Sequence, residues 1–169
     1  MEDGKIKKVS IICAKGGLTD VYTALIMANG ARMEGIEASI FFTFFGLNAI
    51  MKKMVNNLKV ATVGNPSLNL AMPMMGFPIT APFPTWMGAI PGISAMATGM
   101  MQKEMEKLDI PPVDEFLEMF NDAGGKIYAC KLAMDMFKLK KDDLIEQVVD
   151  VLTVGQFYEK SAGASIIFT

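Results

Sequence analysis

The chain of 169 residues contains no histidine. Within one chain, that excludes a Ser-His-Asp or Cys-His catalytic pair, an imidazole metal ligand and a histidine proton shuttle. Cysteine is nearly as scarce. Cys13 and Cys130 are the only two, too few for a Cys-only structural zinc site or a disulfide framework. Neither a metal nor a cofactor is expected from this inventory. An excess of positive charge is missing as well: 16 basic and 18 acidic residues leave a net charge of −2 and a pI near 5.2. That balance gives no electrostatic reason to expect a nucleic-acid partner, where a basic face supplies most of the affinity. The polar start, Met1 to Lys5, has no apolar signal-peptide core. Two free thiols then point to a reducing cytoplasm.

What the chain does have is apolar bulk, with 51% hydrophobic residues and 16 methionines. Disorder is not expected of such a composition, and a chain of this length should bury about two-thirds of its unfolded surface. Lys8 to Ala14 (KVSIICA) reads as a buried strand stopped by the turn Lys15-Gly16-Gly17. Leu18, Val21, Tyr22, Leu25, Ile26 and Met33 then fall at helical spacing up to Gly35. Glu37 to Phe45 (EASIFFTFF) reads as a second buried strand, with a short helical stretch from Gly46 to Lys53. Further on, Pro112 to Ala123 sets Val113, Phe116, Leu117 and Phe120 on one helical face and ends at Gly124-Gly125. A strand over Lys126–Cys130, a helix over Leu132–Phe137, a helical turn at Asp142-Asp143, a strand over Val148–Leu152, a helix over Gly155–Ser161 and a strand over Ala164–Phe168 complete the reading. Strands alternating with helices indicate a mostly parallel sheet of about five strands with helices on both faces.

One stretch breaks this alternation. Between Lys59 and Lys103 there is no charged residue, and six of the eight prolines lie there (Pro66, Pro73, Pro78, Pro82, Pro84 and Pro91). Half of the methionines and the single tryptophan, Trp86, sit in or just beyond it. Prolines this close together forbid a continuous helix, so a membrane span is not read despite the apolar length. Helix is expected only toward its end, over Ile93 to Leu108. The expectation is a single domain, 1–169, carrying a long Pro/Met-rich insertion at about 60–102. Methionine adapts to irregular apolar surfaces, which favours burial of that insertion at a homo-oligomer interface.

In a parallel α/β sheet, functional groups gather beyond the carboxyl ends of the strands. Both cysteines stand at such ends. Cys130 also precedes a helix, where free backbone N–H groups favour a thiolate. Lys15 and Lys131 are candidates to add positive charge. Against this stands the ordinary habit of free cysteine, which packs as a small buried hydrophobe.

Several segments together resemble the DsrE/DsrF-like sulfur-relay family. They are Lys15-Gly16-Gly17-Leu18 through Tyr22, Ala24 to Ile26 and Ala28 to Ala31, with Phe41 to Leu47 and Ala129-Cys130-Lys131-Leu132-Ala133-Met134-Asp135. The last is similar to that family's ACxxSMD motif, in the subgroup with a Met-rich insertion. The resemblance implies a three-layer α/β/α sandwich, homo-oligomers, and a cysteine, here Cys130, that accepts sulfane sulfur as a persulfide. Donor and acceptor proteins with reactive thiols are its implied partners. Two positions depart from the pattern: Ala133 replaces the motif's serine, and Asp20 follows Thr19 one place later than the family's acid. Cys13 lies outside the pattern, although it could resolve a persulfide if the two strand ends were adjacent. Asp135 serves either to anchor its helix or to bond near the thiol.

Two other classes compete with this reading. The turn Lys15-Gly16-Gly17-Leu18-Thr19-Asp20 admits a small-molecule or nucleotide-binding module, though it matches neither GxGxxG nor GxxxxGK[ST]. The uncharged insertion admits a membrane-surface or interaction protein. Its methionine pairs, Met74-Met75 and Met100-Met101, lack the cysteine or histidine that would make a convincing copper site.

Overall fold

Five strands form a wholly parallel sheet in the order β6-β5-β2-β1-β7. They are β1 (Lys8–Cys13), β2 (Glu37–Phe42), β5 (Lys126–Cys130), β6 (Val148–Leu152) and β7 (Ser165–Phe168). A computed structural model describes residues 5–63, 69–74, 77–82 and 85–169. The chain divides into two units, one comprising residues 1–58 and 111–169 and the other residues 59–110.

The sheet and its helices make up the first unit. Register places Val9, Ile11 and Cys13 of β1 level with Ala38, Ile40 and Phe42 of β2, and Ile40 and Phe42 level with Ile127 and Ala129 of β5. Level residues point to the same face, and all of these are buried. That face is covered by α1 (Leu18–Met33) and α3 (Val113–Asp122), which pack on each other and supply Val21, Leu25, Ala28, Leu117 and Phe120. Buried on both sides, the strands carry near-continuous apolar runs, the reason they were legible. On the opposite face, Phe157 of α5 (Val154–Lys160) stacks on Phe41 with ring centroids 4.6 Å apart. Helices on both faces of a parallel sheet make the sandwich the sequence pattern called for.

Helix ends follow local chemistry. Proline precedes α3, and Gly124 beyond it takes φ +85°, a conformation that would strain a side chain. Thr153 caps α5, its hydroxyl accepting from the Gln156 N–H while the Gln156 side chain accepts from the Thr153 N–H.

One boundary differs from the sequence reading. β2 stops at Phe42, and Phe44–Ile50 forms a 3-10 helix rather than a strand end followed by a helix from Gly46. Phe44 sits at φ +45°, a position that an aromatic residue occupies only under tertiary constraint. The constraint is visible next door: the Gly46 N–H donates to the Ala14 carbonyl at 3.1 Å, and a Cβ on Gly46 would collide with the Cys13 carbonyl.

The second unit contains an antiparallel hairpin, β3 (Asn69–Met74) and β4 (Phe77–Pro82), a 3-10 turn over Thr85–Ala89, and α2 (Ile93–Lys107). The hairpin was not foreseen. Pro73 pairs with Pro78 and Asn69 with Pro82, so the three prolines fall in one class of alternating pairs, as residues without an N–H must. Pro66, Met75 and Pro84 of the uncharged stretch lie outside the described residues. Thr98, buried on α2, accepts from the Val60 N–H at 2.9 Å and donates to the Ser94 carbonyl at 2.7 Å. The Ser94 hydroxyl in turn donates to the Val60 carbonyl at 3.0 Å. Among the described residues, no helix is long and apolar enough to cross a membrane.

Candidate functional site

Cys130 is the last residue of β5 and the N-cap of α4 (Lys131–Met136). A strand running directly into a helix holds its thiol at the carboxyl end of the sheet, next to central strand β2. The residue is 5% exposed, and its side chain makes no capping hydrogen bond. Around it the surface is apolar: Phe44, Phe45, Leu132, Met136 and Phe137 are all exposed. Phe45 of the 3-10 helix meets Phe137, just beyond α4, with ring centroids 5.7 Å apart. This contact braces the cysteine-bearing corner. The aromatic rim was not read as part of a site, because Phe41 to Phe45 looks like uninterrupted strand until the positive φ at Phe44 is known.

Cys13 is placed differently. It is 0% exposed, and its thiol donates to the Lys15 carbonyl at 3.6 Å. Burial pushes its pKa up from 9.0 to about 11; the Asp20 carboxylate adds to the push, and a hydrogen bond with Thr169 opposes it. Beyond the last strand, Thr169 closes over the end of β1: its N–H donates to the Ile12 carbonyl, and its own carbonyl accepts from Ala14. Cys13 thus has the environment of a core thiol.

The strand ends are not adjacent, since β2 lies between β1 and β5. The charged candidates are also engaged. Lys15 pairs with Asp20 at 3.5 Å, and Lys131 with Asp135 at 3.0 Å. Both pairs are largely solvated, so each lysine's charge is screened and shared with its own carboxylate. Asp135 therefore acts on Lys131 one helical turn away. Gly16 has a steric role, because a Cβ there would strike the Phe45 carbonyl. Gly17 is the N-cap of α1. The glycine turn thus lets the first loop pass close beneath the 3-10 helix. Ala133, at the motif's serine position, is buried.

A groove of about 640 Å³ lies elsewhere in this unit, lined by Lys52, Val55, Asp114, Glu118 and Glu146 among others. It contains none of the residues singled out above. Among the described residues, no three His, Cys, Asp or Glu side chains cluster as metal ligands.

A parallel α/β sandwich with a cysteine at the junction of a central strand and a short helix defines a class of small thiol proteins. The chain belongs to the DsrE/DsrF/DrsH-like family, which it matches over residues 5–168. Among curated proteins it is 35% identical over 142 residues to the sulfur carrier protein DsrE2 of Allochromatium vinosum, covering 84% of this chain and 85% of that one. It is 25% identical over 146 residues to the uncharacterized protein YrkE of Bacillus subtilis, covering 84% of each. Among solved structures, the ychN protein from E. coli superposes with a TM-score of 0.54 at 12% identity, over 97% of this chain and 100% of that one. That likeness concerns the fold alone.

Proposed function

We propose that this chain is a sulfur-relay protein that carries sulfane sulfur as a persulfide on Cys130. The observation that carries the reading is the unequal placement of the two thiols. Cys130 stands at a strand–helix junction ringed by exposed apolar side chains, whereas Cys13 is a sealed core thiol. The 35% identity to a protein named as a sulfur carrier supports the same class of activity.

The chemistry needs a thiolate, access and a competent leaving group, and no histidine. The Cys130 thiolate attacks the outer sulfur of a donor persulfide R–S–SH. A bond forms between the two sulfurs, the donor S–S bond breaks, and R–S⁻ departs with the bonding pair. Cys130–S–SH remains. Donor and acceptor are proteins with reactive thiols in a reducing cytoplasm. The domain organisation fits one family unit, 1–169, with the uncharged segment at about 60–102 as an interface between copies. Exposed Trp86, Ile90 and Met96 in that segment support such a contact.

Loading tests the reading. Reduced protein incubated with inorganic polysulfide, desalted and digested, should show one added sulfur on the Cys130 peptide. Cys130→Ser should lose that sulfur while keeping its fold by circular dichroism. Equal loading of the variant would overturn the assignment.

A further inference from the structure

We infer that sulfur held on Cys130 leaves this chain only by transfer to an outside thiol, because Cys13 is positioned so that it cannot resolve the persulfide. The inference rests on the sulfur-carrying role of Cys130 proposed above. It adds the class of reaction that must consume the loaded protein.

A cysteine persulfide can be discharged in two ways. In the internal route, a second thiolate attacks the inner sulfur of Cys130–S–SH, forms Cys13–S–S–Cys130 and expels HS⁻. In the external route, R–S⁻ attacks the outer sulfur, Cys130–S⁻ leaves, and R–S–SH carries the sulfur away. The first is a reduction that releases sulfide at the cost of two protein thiols. The second moves zero-valent sulfur without net redox change.

Sheet register separates these routes. Cys13 is level with Phe42, and Phe42 with Ala129, so Cys13 and Ala129 stand two strands apart on the same face. Cys130 is the next residue, and its side chain therefore points to the opposite face. Two strand spacings and one residue of offset put the Cα atoms about 10 Å apart, beyond the roughly 7 Å limit for a disulfide. Between them stands Phe42, fully buried on the Cys13 side.

Rotating Cys13 through the sheet is blocked by what holds its strand end. The Cys13 carbonyl accepts from Thr43 at 3.0 Å, and the Ala14 N–H donates to Thr169 at 3.2 Å. Gly46 is packed against the same carbonyl. Both neighbouring strands would have to release β1 before the sulfurs could meet. The chain has no third cysteine. The reaction that consumes the loaded protein is therefore a transpersulfidation to an external thiol.

Two measurements on the full chain test this. In the first, native protein is oxidised with diamide and digested without reduction. No Cys13–Cys130 linked peptide is expected, and its formation in native protein would overturn the inference whether or not Cys130 carries sulfur. In the second, protein loaded with polysulfide is desalted and held without thiol. The added sulfur should stay on the Cys130 peptide, no sulfide should be released above the blank, and Cys13→Ala should hold its sulfur within about twofold as long as wild type. Added monothiol should then strip the sulfur at a rate proportional to its concentration. Sulfide release that disappears in Cys13→Ala would overturn the inference and leave the loading role standing. Failure of Cys130 to load would instead refute that role, and the diamide result would still decide whether the thiols can meet.

Discussion

Alkaline pH should weaken this fold through one buried thiol. Cys13 is fully buried, and its pKa is raised from 9.0 to about 11. The folded state therefore holds the Cys13 proton more tightly than the unfolded chain does. The resulting stability is fully present below pH 9 and is lost as pH rises through about 11. A shift of two pKa units corresponds to about 3 kcal/mol. Burial also raises the hydroxyl pKa values of Tyr22 and Tyr128 above 10.0, with nearby carboxylates adding to the effect. These act with the same sign, so the total slope is not diagnostic; the difference made by Cys13→Ala is. Urea unfolding followed by circular dichroism in steps from neutral pH to pH 11 would measure both proteins. At neutral pH the variant should be weaker by about 1–2 kcal/mol, for lost packing. The wild-type advantage should then shrink with rising pH and vanish or reverse by about pH 11. The same shift leaves about one hundredth of Cys13 ionised at pH 9, so alkylation of the native protein should label Cys130 well before Cys13. Wild-type and variant curves that fall in parallel, or equal labelling of both thiols, would refute the reasoning.

Gly46→Ala should destabilise the first unit by at least about 1–3 kcal/mol, since the new methyl meets the Cys13 backbone carbonyl rather than a movable side chain; an unchanged urea midpoint would disprove that packing. Lys131→Ala should shift stability by no more than about 0.5 kcal/mol, because its ion pair with Asp135 is exposed, and a double-mutant cycle with Asp135→Ala measures the pair directly. Thr98→Val should cost about 1–3 kcal/mol and expose the Val60 amide to faster hydrogen exchange, as it removes the acceptor of that buried N–H.

The main sheet was legible because each of its strands is announced locally. Runs such as KVSIIC and KIYAC are apolar and short and are closed by glycine or by a helix start, as parallel strands buried on both faces require. What escaped was decided by distant partners. Nothing in Phe41 to Phe45 says where the strand stops, since the stop depends on Gly46 passing beneath the end of β1. The β3–β4 hairpin was hidden for another reason. Prolines were read as breakers, and their alternation in register appears only once the two strands face each other.

The two cysteines make the same distinction at the candidate site. Each was read as a strand-end thiol, and on that local description they are alike. Cys130 could be singled out because its environment follows from its own neighbours: a strand before it, a helix after it, and an Asp135 whose i,i+4 spacing places it against Lys131. Cys13 acquires its character from residues far along the chain. Thr169 closes over it from beyond β7, and β2 separates it from the other thiol. Topology has turned two similar sequence positions into an accessible corner and a sealed core. That division is what gives a chain without histidine a single thiol to work with.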